Sequence, residues 1–296
     1  MLIWILQTGE PLHIDKGNHR PMRAMNLSDK LVDAGHTVVL WSSAFSHQGK
    51  KHRANVYKTY KVSSKLEVRL IPSFGYQKHV GIGRLLDHAQ MAWNLKKVLN
   101  KEGGVPDIAF VGYPPIETAT VMSGWLKKRE VPMILDVKDL WPSMFVEVFP
   151  KTIQPIVKIV FYPYFYMARR TINEAASLSA MAPAFLDWVL DFAHKDKSQN
   201  DKVFRLTSPR GTVAKEDMLI SQKWWDIKGV NGAKPVVFFV GSFMSVFDFK
   251  PVVIAAKKLK NVQFVLCGDG DYLRGVKGTM LELDNVIFPG WIDRPK

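Results

Sequence analysis

Short unbroken apolar runs alternate along this chain with longer stretches that carry an apolar stripe at helical spacing. Residues 2–6, 37–41, 66–71, 106–112 and 131–136 are the runs, each bounded by turn residues. Their length and composition are those of strands buried on both faces. Between them, residues 20–34, 84–100 and 116–129 read as helices. Met22, Met25, Leu27, Leu31 and Val32 share one face of the first, and Gly35 follows as its C-cap. Lys96, Lys97 and Lys101 close the second helix, and Lys127, Lys128 and Arg129 the third, where cations suit the helix dipole. A strand, a crossover helix and a strand form a right-handed βαβ unit, and strict alternation predicts a parallel α/β sheet.

The polar loop at 7–20 joins the first strand to the first helix and contains Gly9, Pro11, Gly17 and Asn18. Such a loop lies where backbone N–H groups and the positive helix end receive anions. Residues 153–176 form a long helical segment that Pro163 kinks or restarts. A small-residue strand at 176–182, a short helix at 183–192, a surface loop at 193–202 and a last strand at 203–207 follow. Residues 212–234 are mixed and read as a linker region. A second α/β pattern then begins: strand 235–240, loop 241–249, helix 250–259, strand 262–266, the Gly268-Asp269-Gly270 turn, helix 272–283 and strand 286–288. The expected organisation is a Rossmann-like domain at 1–211, a linker at 212–234 and a partial second Rossmann-like domain at 235–296.

A chain of 296 residues has length enough for two domains. With 47% hydrophobic and 23% charged residues it has the composition of a folded protein, not a disordered one. The net charge of +14 is unusual, and ten of those charges fall in residues 1–185, which hold 24 Lys and Arg against 14 Asp and Glu. A basic surface attracts nucleic acid, anionic lipid or phosphorylated substrates. No helix concentrates base-reading residues, so nucleic acid is not an expected partner. The single Cys267 excludes an internal disulfide and fits a reducing compartment. No apolar run reaches the roughly 20 residues that span a bilayer, and residues 2–6 are too short for a signal-peptide core. The expected location is cytoplasmic and peripheral on the inner membrane face. The eight histidines show no paired helical spacing and there are no cysteine pairs, so neither a metal nor a cofactor is expected. P-loop and Gly-x-Ser-x-Gly patterns are absent as well.

Two basic stretches read two ways each. Lys50-Lys51-His52-Arg53 is either a solvated loop or the rim of a cleft that meets an anionic acceptor or lipid headgroup; the loop at 72–83 adds His79. Phe161 to Arg170, with its aromatics followed by Arg169 and Arg170, is either an interfacial anchor or an aromatic helix buried against the sheet.

Asp136, Lys138 and Asp139 sit where a strand becomes a loop, the ligand-binding edge of a parallel sheet. A carboxylate there orients a sugar hydroxyl or stabilises positive charge; spacing alone equally allows a polar loop with a cap residue. Three patterns then agree. The first is the loop ending Gly17-Asn18-His19-Arg20, a helix, and Ala34-Gly35-His36 before a strand. The second is Asp139-Leu140-Trp141-Pro142 after a strand. The third is Gly241-Ser242, then Gly268-Asp269-Gly270, then Gly290-Trp291-Ile292-Asp293 in the second half. Together they resemble family-4 retaining glycosyltransferases of the GT-B fold, as found in bacterial surface-polysaccharide assembly.

The resemblance implies two Rossmann-like domains, a nucleotide diphosphate sugar as donor and a lipid-linked or saccharide acceptor. It implies a sugar-facing role for Asp139, with Lys138 where the family often has His. It implies donor contacts from Gly17, Gly241, Ser242, Lys250, Gly268, Gly270 and Ile292, although Lys250 also reads as a surface lysine at a helix start. His19, Arg20, Lys50, Lys51, His79, Arg169 and Arg170 are the expected acceptor or membrane contacts. A complete family member continues past the position of Lys296 with a Glu-x7-Glu segment and a helix that crosses back, so the second domain is expected to be incomplete. A nucleotide-sugar epimerase on the same fold and a non-catalytic membrane-docked subunit are the alternatives.

Overall fold

The computed structural model describes residues 1–17, 20–77, 81–206, 213–230, 232–244 and 247–292. The chain divides into two compact units, Met1–Pro209 and Arg210–Lys296.

The first unit opens with β1 (Leu2–Leu6), α1 (Arg23–Asp33) and β2 (Thr37–Ser43). Three short strands follow, β3 (Phe45–Ser46), β4 (Lys51–His52) and β5 (Lys58–Lys61), and then β6 (Leu66–Ile71) and α2 (Ile82–Leu99). β7 (Ile108–Tyr113), α3 (Ile116–Lys127) and β8 (Met133–Val137) continue the alternation. α4 (Ser143–Glu147), α5 (Gln154–Val160) and α6 (Tyr162–Glu174) lead to β9 (Ser177–Ala180), α7 (Pro183–Ala193) and β10 (Lys202–Val203). The main sheet has the order β10-β9-β8-β7-β1-β2-β6-β5. Its strands are parallel except β5, which runs antiparallel to β6 at the edge.

Side-chain alternation sends Trp4 and Leu6 of β1 to one face and Ile5 to the other. Both faces are buried, as continuous apolar strands require. On one face Trp4 stacks on Trp125 of α3 at 5.0 Å and meets Trp41 of β2 at 5.1 Å. Met91 and Leu95 of α2, Ile172 of α6 and Val189 of α7 complete that layer. On the other, Ala24 of α1 lies with Ile5, Val38, Leu40 and Val68.

The basic stretch Lys50-Lys51-His52-Arg53 is not a plain loop: Lys51 and His52 form β4, which pairs with β3, and β5 follows. The sequence Lys58-Thr59-Tyr60-Lys61 is polar and lacks a hydrophobic signal, and lysines on an edge strand discourage further pairing. The helical segment at 153–176 restarts at Pro163 as expected: α5 ends at Val160 and α6 begins at Tyr162 with Pro163 in its first turn, where a missing N–H costs nothing.

The second unit holds α8 (Lys215–Ile227), β11 (Val236–Val240), α9 (Lys250–Lys258), β12 (Gln263–Cys267), α10 (Leu273–Gly278) and β13 (Val286–Gly290). Its parallel sheet has the order β11-β12-β13. The stretch 212–234, read as a linker, contains α8, and Trp225 of that helix packs against Phe238 of β11 at 5.1 Å. Phe243, Phe249, Leu266, Val276 and Met280 form the small core of this unit.

Candidate active site

The main sheet reverses its winding between β1 and β7. From β1 the chain steps outward to β2 and β6, then returns to lay down β7, β8, β9 and β10 on the other side. Ligands of open α/β sheets bind at the carboxyl ends of strands beside such a switch point. A cleft of about 210 Å³ lies there. Gln7, Thr8, Gly9 and Glu10 enter it after β1, and Ser43, Phe45 and His47 after β2. Pro114 and Pro115 follow β7, and Lys138 and Asp139 follow β8. Tyr76, Arg84, Asp87, His88 and Met91 close the remaining side.

Lys138 does not point freely into this cleft. Its Nζ forms an ion pair with Glu10 Oε1. The other Glu10 oxygen accepts a hydrogen bond from the Ala24 N–H at 2.9 Å, in the first turn of α1. Glu10 therefore ties the loop after β1 to the loop after β8 and to a helix start. Asp139 reaches solvent at the mouth of the cleft. The crowding of the walls raises its carboxyl above the ordinary range, against the opposing pull of Arg84 and Lys138.

Asp136, the other expected carboxylate, lies beneath the cleft and does not line it. It is fully buried, pairs with Arg23 Nη2 at 2.8 Å and accepts a hydrogen bond from Ser179 Oγ at 2.8 Å. Arg23 also donates to the Phe204 carbonyl at 2.6 Å. Burial pushes the Asp136 carboxyl up, and Arg23 and Lys138 pull it down. Its partners on α1 and β9 make it a tie within the sheet.

Behind the cleft wall stands a second polar pair. His88 on α2 lines the cleft, and its Nδ1 faces Glu117 Oε2 of α3 at 3.8 Å. Neither atom has a hydrogen-bond partner among the described residues. Tyr164 of α6 donates its hydroxyl to Glu117 Oε1 at 2.9 Å. Burial lifts the Glu117 carboxyl to about 7, and burial together with Arg84 and His47 lowers His88 to about 3. The pair therefore favours uncharged forms. His47 and the Tyr76 hydroxyl lie 2.5 Å apart nearby.

The expected acceptor and membrane residues scatter. Lys50 lies over the Tyr76 ring at 4.4 Å, beside the cleft, and burial and Arg84 lower its pKa. Lys51 is exposed on β4 and does not line it. Gly17 and Arg20 are exposed and also lie outside the lining. Arg169 donates to the Phe192 carbonyl at 3.1 Å, and Arg170 pairs with Glu174 at 2.9 Å. His19 and His79 fall outside the described residues.

In the second unit the expected donor residues gather at the strand ends. Gly241 N–H donates to the Cys267 carbonyl at 3.1 Å and Gly268 N–H to the Gly290 carbonyl at 2.9 Å, which joins the ends of β11, β12 and β13. Gly268 and Gly270 have φ of 129° and 150°. A Cβ on Gly268 would stand 1.8 Å from the Gly241 carbonyl oxygen, and one on Gly270 2.4 Å from that of Phe243. These glycines permit one loop to lie directly on another. Ser242 is exposed beside them, and Ile292 is half-buried just past β13. Lys250 is exposed at the first position of α9, where its N–H bonds Asp248 Oδ1 at 3.0 Å.

Glu10, Arg84 and His88 line the cleft and Glu117 stands behind its wall, and none of the four is a candidate from the sequence. A signal existed for His88: it lies three, four and seven residues before Met91, Ala92 and Leu95, on the buried stripe of α2. Glu117 was masked by the ordinary preference for an acid in a first helical turn.

No family sequence model matches the chain, and no curated protein matches it by sequence. Solved structures do match by fold. Anabaena HepE in complex with UDP-glucose is 15% identical, over 99% of this chain and 70% of that one, with a TM-score of 0.53. The catalytic domain of Arabidopsis thaliana starch synthase IV bound to ADP and acarbose is 11% identical, over 99% and 74%, with a TM-score of 0.63. The lipopolysaccharide outer core galactosyltransferase WaaB in its apo form is 14% identical, over 100% and 69%, with a TM-score of 0.52. The likeness shows that the chain has the GT-B fold.

Proposed function

We propose that this GT-B chain is a retaining, metal-independent glycosyltransferase that moves a sugar from a nucleotide diphosphate sugar to a lipid-linked or saccharide acceptor. The observation that carries the reading is the cleft at the sheet's switch point, with a solvent-reaching carboxylate, Asp139, beside the held cation Lys138 and the guanidinium of Arg84. The fold-level neighbours that hold UDP-glucose or ADP support a nucleotide-linked donor.

In this reading the acceptor sugar enters the first-unit cleft, and the nucleotide binds the glycine-lined strand ends of the second unit. The bond from the sugar's anomeric carbon to the diphosphate breaks, and a bond to the acceptor oxygen forms on the same face. The acceptor's proton passes to the departing diphosphate oxygen, so no separate base is required. Asp139 orients a sugar hydroxyl and opposes the positive charge that develops at the anomeric carbon. Lys138 and Arg84 offset negative charge, and Glu10 keeps Lys138 in one position. The retaining course, the independence from metal and the place in surface-polysaccharide or glycolipid assembly stand on the sequence resemblance. So does a location at the cytoplasmic membrane face.

Turnover of UDP-, ADP-, GDP- and dTDP-linked sugars by Asp139→Ala and Asp139→Asn tests the role of the carboxylate. Both variants are expected to lose about 100-fold or more in turnover, the scale of removing one preorganised electrostatic group. Full turnover by Asp139→Ala would remove Asp139 from the mechanism.

A further inference from the structure

We infer that α4, α5 and the start of α6 form the surface by which the first unit docks on an anionic lipid bilayer, and that the acceptor is therefore lipid-linked. The second clause rests on the sugar-transfer reading of the cleft; the docking surface itself does not.

α5 buries none of its side chains. Ile156, Ile159 and Val160 are 63%, 75% and 69% exposed and stand at i, i+3 and i+4, one face of the helix. Met144 and Val148 on α4 and its C-cap, and Tyr162 at the start of α6, extend the exposed apolar surface on both sides. A soluble surface scatters single apolar residues; a run of them on a helix with no buried face marks a docking site.

The charge around this face selects the occupant. Lys151 and Lys158 are exposed within and beside it, and Arg169 follows on α6, against the single carboxylate of Glu147. Arg170 is taken up by Glu174. Aliphatic side chains flanked by cations, with a tyrosine at the border, match an acyl-chain surface with anionic headgroups. The aromatic stretch that suggested an anchor in sequence divides accordingly. Phe161 and Tyr164 turn inward on Phe145, at 5.2 and 5.7 Å, and the outward apolar face moves to α5.

The surface is also coupled to the cleft. Ring contacts run from His88 to Trp141 at 5.8 Å and from Trp141 to Phe145 of α4 at 4.6 Å. Asp139 precedes Met144 by five residues, a reach of at most about 18 Å. A bilayer held against α4 and α5 therefore lies within a short chain span of the cleft mouth, where the headgroup of a lipid-linked acceptor would sit.

Flotation of the whole chain with phosphatidylcholine vesicles, with and without phosphatidylglycerol, tests this. The chain is expected to float with the phosphatidylglycerol vesicles. The triple variant Ile156→Ser, Ile159→Ser, Val160→Ser is expected to lose vesicle binding about a hundredfold, since each lost aliphatic contact weakens it about fivefold. Its circular dichroism and melting temperature should stay unchanged, because α5 buries no side chain. Lys151→Gln and Lys158→Gln should each weaken binding to phosphatidylglycerol vesicles by about fivefold. Failure of the wild-type chain to float with either vesicle would overturn the proposal. So would wild-type flotation of the triple variant, or a wild-type dimer that the triple variant dissociates without any vesicle binding. UDP titration of the same preparations separates the two readings. Nucleotide binding without flotation rejects docking alone, and flotation without nucleotide binding rejects the transfer reading alone.

Discussion

β7 and β11 are written in the same language and live in different surroundings. Ile108-Ala-Phe-Val-Gly-Tyr113 and Val236-Val-Phe-Phe-Val240 are both apolar runs in parallel sheets. β7 lies between β1 and β8 with helices packed over it, and Ala109, Val111 and Tyr113 are buried completely or nearly so. β11 lies at the edge of its sheet, and Val236, Val237, Phe238 and Val240 are exposed. An apolar run thus specifies a strand but not its neighbours. Burial comes from helices and strands placed by distant parts of the chain. The stabilising weight of this molecule sits in the first unit, and the second is held by a smaller core and by loop-on-loop glycine contacts.

The largest effect that would sharpen this contrast is expected at the buried ion pair. Arg23→Ala strands the Asp136 carboxylate inside the sheet and should cost about 3–5 kcal/mol in chemical denaturation of the first unit. A cost below about 1 kcal/mol would show that Asp136 is not held by this pair. Next, Leu135→Ala on buried β8 is expected to cost about 2–5 kcal/mol, against less than about 0.5 kcal/mol for Val240→Ala on β11. Equal losses would break the comparison.

The His88–Glu117 pair should leave a mark on pH dependence. The folded chain keeps the Glu117 proton up to about pH 7, whereas the unfolded chain releases it near 4.5. Stability therefore falls as pH rises through that window, by about 1.4 kcal/mol per unit. His88 acts oppositely. The unfolded chain takes its proton below 6.5 and the folded chain refuses it down to about 3, so stability rises with pH across that range. Between about 4.5 and 6.5 the two slopes cancel. Glu117→Gln should uncover a rise with pH in thermal melts, and His88→Leu a fall. Identical slopes in all three proteins would refute the assignment. A smaller effect, about 1–3 kcal/mol, is expected for Gly268→Ala, whose Cβ has no room against Gly241. Hydrogen exchange should locate that loss at the ends of β11 and β12 and leave β1 and β7 unchanged.

Much of the fold was legible because strands buried on both faces advertise themselves as apolar runs. The alternation around β1, β2, β6, β7 and β8 is of this kind, and the break before Pro163 was legible from proline's missing N–H. β5 was not legible, since Lys58-Thr59-Tyr60-Lys61 is half of an exposed edge and has no periodic signal. Of the three residues at the end of β8, sequence could not tell which faces the cleft. Asp136 is committed to Arg23, a residue 113 positions earlier, and only the fold reveals that. The loop after β1 was legible as a loop, but not which of its residues reach the cleft: Gly9 and Glu10 line it, and Gly17 is exposed outside the lining. His88 needed a third dimension: its partner Glu117 comes from another helix.

Calorimetric titration of the chain with UDP, ADP, GDP and dTDP tests the central claim most directly. Micromolar binding of one nucleotide is the expected result, weakened in Gly268→Ala, which distorts the strand ends proposed to hold it. Absence of binding by all four would contradict a donor site in the second unit and with it the proposed transfer reaction.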